Sequence, residues 1–335
     1  MNAVNIGLIG AGEIAQNFHL PIHFRLPNVK LYAIFDKNKS KAQHLAEKYN
    51  IPYVCNSLEE LLKIDELDAV DICTSTDAHA EIAIASIEAG KHTLIEKPVA
   101  RNYHEALEIQ KAEAAGDVKV MVATNQRFRY DAKMLKSYVK NNDIGDIFYI
   151  QGSWLQQKRN AEWREQIEKS GGGVLIDLGV SLIDSLMWIC DFPEIRSVSA
   201  NTFKHLTEKV EDVCIANIKF TNGSIATMEM SWSLFSSRNS FAFNVYGSKG
   251  SAKINPVQLY KTDSDIYYPV KNRDQHSNME IFRKSFESEI KHFINSVQGF
   301  SPIVSNVSEA VIIMKIIEAM YKSSIEGKEI DFENF

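Results

Sequence analysis

At 335 residues the chain is long for one ordinary domain and long enough for two, each with its own core. A composition of 45% hydrophobic and 24% charged residues excludes a mostly disordered polypeptide. Its 37 Lys and Arg against 43 Asp and Glu give a net charge of -6, and no basic cluster is long enough to neutralise a row of phosphates, which excludes nucleic acid as a partner. Met1 to Ile9 is a short apolar strand that runs into a glycine turn and lacks the basic and small-residue flanks of a signal peptide. Because no apolar run reaches the roughly 18 residues of a membrane span, a cytoplasmic protein with no membrane partner is expected. Cys55, Cys73, Cys190 and Cys214 are scattered, without a C-x-x-C pair, and are expected to be reduced and mostly buried.

In chain order, short β-rich runs alternate with helical stretches over the first ~120 residues, the pattern of a parallel sheet wound with helices. The expected strands are Asn5 to Gly10, Leu31 to Asp36, Ala69 to Thr74, Thr93 to Glu96 and Lys119 to Thr124. Helix starts are marked by Ser40 with Gln43, Ser57 with Glu60 and Asn102 with Glu105. Beyond Asn125 a helix over Asp131 to Asn141 precedes longer alternating segments, Ile147 to Leu155, Val213 to Phe220, Ser224 to Trp232 and Phe241 to Tyr246. Thr221, Asn222 and Gly223 form a hairpin turn between two of them. Helical patterns return at Met279 to Val297 and Ser305 to Ser324. The expected fold class is α/β: an N-terminal Rossmann doubly wound parallel sheet over residues 1–124, then a C-terminal α+β domain over 125–335 with a large, mostly antiparallel open sheet.

Gly10, Ala11, Gly12, Glu13, Ile14 and Ala15 make a G-x-G-x-x-A motif between the first strand and a helical stretch. Gly10 permits the turn, Gly12 lets the backbone approach a pyrophosphate, and Ala15 lets helix and strand pack closely. The helix N-terminus adds amide donors and a partial positive charge. Asp36, at the end of the second strand, would either cap the following turn or accept hydrogen bonds from the adenosine ribose and repel a 2′-phosphate; on the second reading NAD is expected over NADP. Thr93 to Pro98 reads T-L-I-E-K-P and puts Lys97 beyond the carboxyl end of a strand, where it is either a solvated lysine at a loop start or an ammonium that can stabilise a developing alkoxide.

Gly171, Gly172 and Gly173 open a nearly all-apolar helical stretch on which Asp177, Ser181, Asp184 and Trp188 form one polar stripe. Buried carboxylates are costly unless paired, so the stripe is expected either to face nicotinamide and substrate or to form a structural network. Trp163 beside Arg164 suits a polyol or sugar acid, or a packed surface pair. His19 and His23 stand four apart with Pro21 between them and no third ligand apparent, so no metal is expected.

The run from Thr74 to Pro98, T-S-T-D-A-H-A-E-I-A-I-A-S-I-E-A-G-K-H-T-L-I-E-K-P, resembles the signature of the glucose-fructose oxidoreductase and inositol dehydrogenase (Gfo/Idh/MocA) family. Asn125 to Phe128, the hairpin T-N-G-S-I-A-T-M-E-M-S-W and the later Y-G-S-K-G-S-A-K-I resemble it too, so the likeness covers nearly the whole chain. It implies hydride transfer between a nicotinamide cofactor and a sugar, cyclitol or related polyol, in a homodimer or homotetramer formed through the C-terminal sheet. Cofactor contacts would come from Gly10, Gly12, Glu13, Ile14, Asp36, Thr74, Ser75, His79, Glu96, Lys97 and Gln126. Lys97, Asp177 and Ser181 would be catalytic, with Trp163 and Arg164 joining Asp177 and Ser181 around the substrate. The family's D-x-G-x-H is matched by Asp177 and Gly179, but Ser181 stands at the histidine, and a serine is a poor base near neutral pH. Two other outcomes are compatible with the resemblance: an NAD-dependent glycosidase or epimerase with an internal redox cycle, and a nucleotide-binding regulator that has lost catalysis.

Overall fold

The computed structural model describes residues 3–157, 162–233, 239–263, 266–270 and 277–335. The chain folds as two units, Met1–Asn125 with Phe286–Ile312, and Gln126–Ser285 with Ile313–Phe335.

In the first unit, apolar and β-branched runs form β1 (Val4–Ile9), β2 (Val29–Phe35), β3 (Tyr53–Val54), β4 (Ala69–Ile72), β5 (His92–Glu96) and β6 (Val120–Ala123). They pair in the order β3-β2-β1-β4-β5-β6, and every pairing is parallel. Helices α1 (Leu20–Arg25), α2 (Lys39–Tyr49), α3 (Leu58–Leu62), α4 (His79–Glu88) and α5 (Tyr103–Ala115) join them. All four residues of β4 and of β6 are buried, the mark of a sheet covered on both faces. The expected caps hold at Ser57, whose hydroxyl accepts from Glu60 N–H, and at Asn102, which accepts from Glu105 N–H. At α2 the cap is Asn38, which accepts from Lys41 N–H, and Ser40 lies inside the helix. An Asn two residues earlier satisfies the same free amides, and short-range pattern cannot rank two such caps.

In the second unit lie α6 (Tyr130–Lys140), β7 (Ile147–Leu155), α7 (Ile167–Ser170), α8 (Val180–Ile189), β8 (Ile195–Phe203), β9 (Val213–Phe220), β10 (Ile225–Ser231), β11 (Ser240–Gly247), β12 (Gly250–Ile254), β13 (Gln258–Asp263) and β14 (Ile266–Val270). After them come α9 (Asn278–Val297), α10 (Val307–Glu326) and β15 (Ile330–Asp331), and each of the two long helices has residues in both units. Among the described residues the sheet has nine strands in the order β14-β13-β12-β11-β7-β10-β9-β8-β15, antiparallel except for β7 with β10. The β9–β10 hairpin turns on Gly223, at φ 89°, a left-handed value that favours glycine. One sheet face, with Ala216, Ile218, Met228 and Phe243, is fully buried. There Gly152 lets the helix come close: a Cβ on it would lie 3.0 Å from Leu182 and 2.7 Å from Met228.

Residues 286–312 fold with the first unit. Phe286 stacks on Phe18 at 4.3 Å and Val122 N–H donates to Ser305 O; an amphipathic helix declares that it has a buried face, not which core receives it. The stretch Ile167–Ile189 does reach the length and apolarity of a membrane span, but 89% of its most apolar window is buried inside the protein, as in a core helix.

Candidate active site

The register of the first sheet aligns its carboxyl edge. Ile9 pairs with Phe35 and with Ile72, and Ile72 pairs with Ile95, so Gly10, Asp36, Cys73 and Glu96 follow in line. The strand order reverses between β1 and β4, and ligands of such sheets bind outside the carboxyl ends at that point. Gly10 has φ 99°, and a Cβ there would meet the Cys73 carbonyl at 2.7 Å, so only glycine fits. A Cβ at Gly12 would meet only Cys73 O, at 3.5 Å, so the protein itself leaves that space open to an approaching group. Asp36 binds the turn from below: one oxygen accepts Ala11 N–H at 2.6 Å and the other Asn38 N–H at 2.7 Å. Glu13 is exposed and Ile14 half-buried on the helix that follows. Among the described residues the Thr74 hydroxyl is buried without a hydrogen-bond partner, beside half-buried Ser75, as expected of a site that another molecule completes. Glycine room, an edge carboxylate and an orphan hydroxyl fit a dinucleotide.

His79, expected at the cofactor, is 1% exposed and spends its ring on the backbone: Nδ1 bonds Pro98 O at 2.8 Å and Nε2 lies 3.2 Å from Thr74 O. Burial pushes its pKa down, so the neutral ring donates along the shorter bond. It thus acts through the segments it holds. Lys97 is half-buried, and the Glu96 carboxylate accepts its backbone N–H at 3.1 Å.

His19 and His23 do acquire the third partner that the sequence did not offer. Asp71 of β4, 52 and 48 positions away, accepts from His19 Nδ1 and His23 Nε2 at 2.8 Å each. The three ligand-capable atoms lie within 4.8 Å of one another and all three residues are buried. Donors sharing a tetrahedral metal at about 2.0–2.1 Å would stand roughly 3.3 Å apart. Two contacts of 2.8 Å onto one oxygen are hydrogen bonds.

In the second unit a π-helical turn, Leu175–Gly179, continues as α8 and carries Asp177 and then Ser181 on adjoining turns. Trp163, Arg164 and Asp177 do come together: Arg164 lies over the Trp163 ring at 4.8 Å, and its Nε is 4.0 Å from Asp177 Oδ2. Ser181 is 6% exposed. The rest of the stripe is structural. Asp184 holds Arg127 by bonds of 2.6 and 2.9 Å with both residues buried, and the Trp188 ring supports Lys136 Nζ at 4.7 Å. The glycine run is explained by two residues that sequence reading missed. A Cβ on Gly172 would strike the Tyr321 hydroxyl at 2.1 Å, and one on Gly173 the Glu211 carbonyl at 1.9 Å. Glu211 accepts from Gly173 N–H, Leu175 N–H and Tyr321 O–H, fixing the start of the Asp177 helix. Burial raises the Glu211 pKa against the pull of those bonds. Gln126, assigned to the cofactor, is 2% exposed, and its side-chain oxygen is buried without a partner among the described residues.

Comparison with known proteins agrees with this reading. A family model described as an oxidoreductase family with an NAD-binding Rossmann fold matches residues 4–124, and its C-terminal alpha/beta domain matches 136–332. D-glucoside 3-dehydrogenase of Escherichia coli (strain K12) is 28% identical over 98% of this chain and 97% of its own. Myo-inositol 2-dehydrogenase of Thermotoga maritima is 24% identical over 98% and 99%. A levoglucosan dehydrogenase solved with NADH and levoglucosan shares the fold, with a TM-score of 0.88 at 23% identity over 99% of this chain and 100% of that one. The chain therefore belongs to the Gfo/Idh/MocA family of oxidoreductases, with the NAD-binding Rossmann fold of that family in its N-terminal part.

Proposed function

We propose that the protein transfers a hydride between NAD and a hydroxyl-bearing carbon of a sugar, cyclitol or related polyol. The observation that carries this reading is the single edge of the parallel sheet on which Gly10, Asp36, the orphan Thr74 hydroxyl and Lys97 all lie. The sugar and polyol dehydrogenases among the relatives support the substrate class. Bound NAD supplies the hydride acceptor at its nicotinamide. Lys97 Nζ takes the hydroxyl proton in oxidation and returns it in reduction. In the second unit Asp177 would accept from a substrate hydroxyl other than the reacting one, Arg164 would donate to a substrate oxygen, and Trp163 would offer an aromatic face beside them. The test is a screen of sugars and polyols with purified protein and both nicotinamide cofactors; absence of any nicotinamide absorbance change across the panel refutes the reading.

NAD is preferred over NADP in this reading, because a 2′-phosphate would meet the Asp36 carboxylate. Asp36→Ser narrows the preference, and it also weakens NAD itself, since Asp36 holds the glycine turn through Ala11. Calorimetric titration of both cofactors checks this, and comparable affinities for the unmodified protein defeat it. Ser181→Ala costs less than about tenfold in kcat, or ~1.4 kcal/mol, because a neutral hydrogen bond is lost and not a proton carrier. If that variant is dead, the proton moves through the helix and not through Lys97.

A further inference from the structure

We infer that His19, buried as an imidazolium between Asp71 and Glu96, is a positioning residue that holds Lys97 in place through the Glu96 carboxylate. This deepens the proposed function and rests on Lys97 as the proton carrier.

His19 ends the π-helical turn Ala15–His19 that follows the glycine motif, and it is 0% exposed. Its Nδ1 lies 2.8 Å from Asp71 Oδ2 and its Nε2 3.0 Å from Glu96 Oε1. Ionised carboxylates only accept, so a ring bonded to two of them donates from both nitrogens and carries a proton on each. The other contacts of both residues are ones in which the carboxyl group accepts. Asp71 also accepts from His23 Nε2 and from the Cys73 thiol, and the second Glu96 oxygen accepts Lys97 N–H. His23 Nδ1 is buried with no hydrogen-bond partner among the described residues.

Lys97 is thereby clamped from both sides. Glu96 before it is fixed by His19, and the Pro98 carbonyl after it by His79. The two histidines face different acceptors, His19 two carboxyl groups and His79 two backbone carbonyls. The His19 bond also ties the helix beginning at the pyrophosphate-binding turn to the strand end that carries Lys97. It therefore sets where the proton carrier stands relative to that turn, and misplacement by an ångström costs rate without costing cofactor affinity.

The titratable groups facing His19 are Asp71 and Cys73 at the β4 end, His23 of α1 and Glu96 of β5, with the Phe286 ring edge-on from α9 at 6.1 Å. Burial opposes the charged ring, yet the Asp71 charge, followed by Cys73 and the hydrogen bonds, carries its pKa well above 6.5. A pKa raised on folding gives stability that is complete below about pH 6.5 and is lost as pH rises through the folded value. The clamp therefore loosens on the alkaline side, when the deprotonated ring keeps a single N–H.

Nitrogen-15 spectra of histidine-labelled protein at pH 7 should show His19 with both nitrogens protonated and His79 neutral. A neutral His19 ring overturns the inference, whatever the protein oxidises. His19→Gln should lower kcat roughly 10- to 100-fold at a temperature well below its melting point. The NAD dissociation constant, read by calorimetry, stays within about threefold, and the alkaline limb of the kcat profile shifts. Glu96→Gln, which leaves His19 intact, should give the same split. If either variant melts earlier but keeps kcat and its pH profile, the network is structural and the inference fails. If Lys97→Met keeps its turnover while His19→Gln loses it, the assignment of the proton to Lys97 fails first, and with it the role given to His19.

Discussion

Lys97→Met lowers kcat by roughly two to four powers of ten and leaves the NAD dissociation constant nearly intact, the scale for losing one general acid or base. At about 1.4 kcal/mol per power of ten, that is roughly 3–5 kcal/mol of barrier. Methionine keeps the length and apolar stem of lysine, so the half-buried site stays filled and only the amine is removed. The backbone N–H at this position still meets Glu96, and the flanking Pro98 carbonyl still meets His79, so the loop keeps its frame. Single-turnover rates with each variant separate chemistry from product release. Turnover within about fivefold of the unmodified protein means that the proton travels by another group and that Lys97 shapes the turn.

The largest loss of stability is expected at Asp184. Its carboxylate takes both the Nε and an Nη of Arg127, and the side chains are 3% and 1% exposed. Asp184→Ala takes both carboxylate bonds from a buried guanidinium in the core of the second unit, a loss of about 3–5 kcal/mol. The paired change Arg127→Met with Asp184→Leu should recover most of it, since a buried ion pair replaced by apolar groups of similar volume is often neutral. Urea midpoints of the three variants at unchanged slope check this. A fall below 1 kcal/mol for Asp184→Ala shows that water reaches the guanidinium.

Local pattern determined a good deal by itself. Alternation located β7 and β9 to the residue, because a sheet with one buried face writes its period directly into the sequence. The glycine turn, Asp36 and E-K-P were legible for a related reason: each needs a particular residue type at a fixed distance from a strand end, and both the strand and the residue are local. Strands β3, β8 and β12 to β15 were not legible, being short or of mixed character, and their pairing is decided by neighbours far along the chain.

Tertiary structure alone decided what each polar residue of the site is for. The stripe Asp177, Ser181, Asp184 and Trp188 reads as one face, yet Arg127 claims Asp184 while Arg164 approaches Asp177, and no helical period distinguishes the two carboxylates. Gly172 and Gly173 look like a flexible run, but their requirement for glycine comes from Glu211 and Tyr321, brought in by folding. The two π-helical turns, at Ala15–His19 and Leu175–Gly179, escaped a reading built on 3.6 residues per turn. The first of them ends on His19, whose partners Asp71 and Glu96 lie 52 and 77 positions away. A histidine four residues from another gives no sign in the sequence of its charge. Its protonation is set by which acceptors the sheet register brings to its two nitrogens, and that register exists only once β1, β4 and β5 have paired.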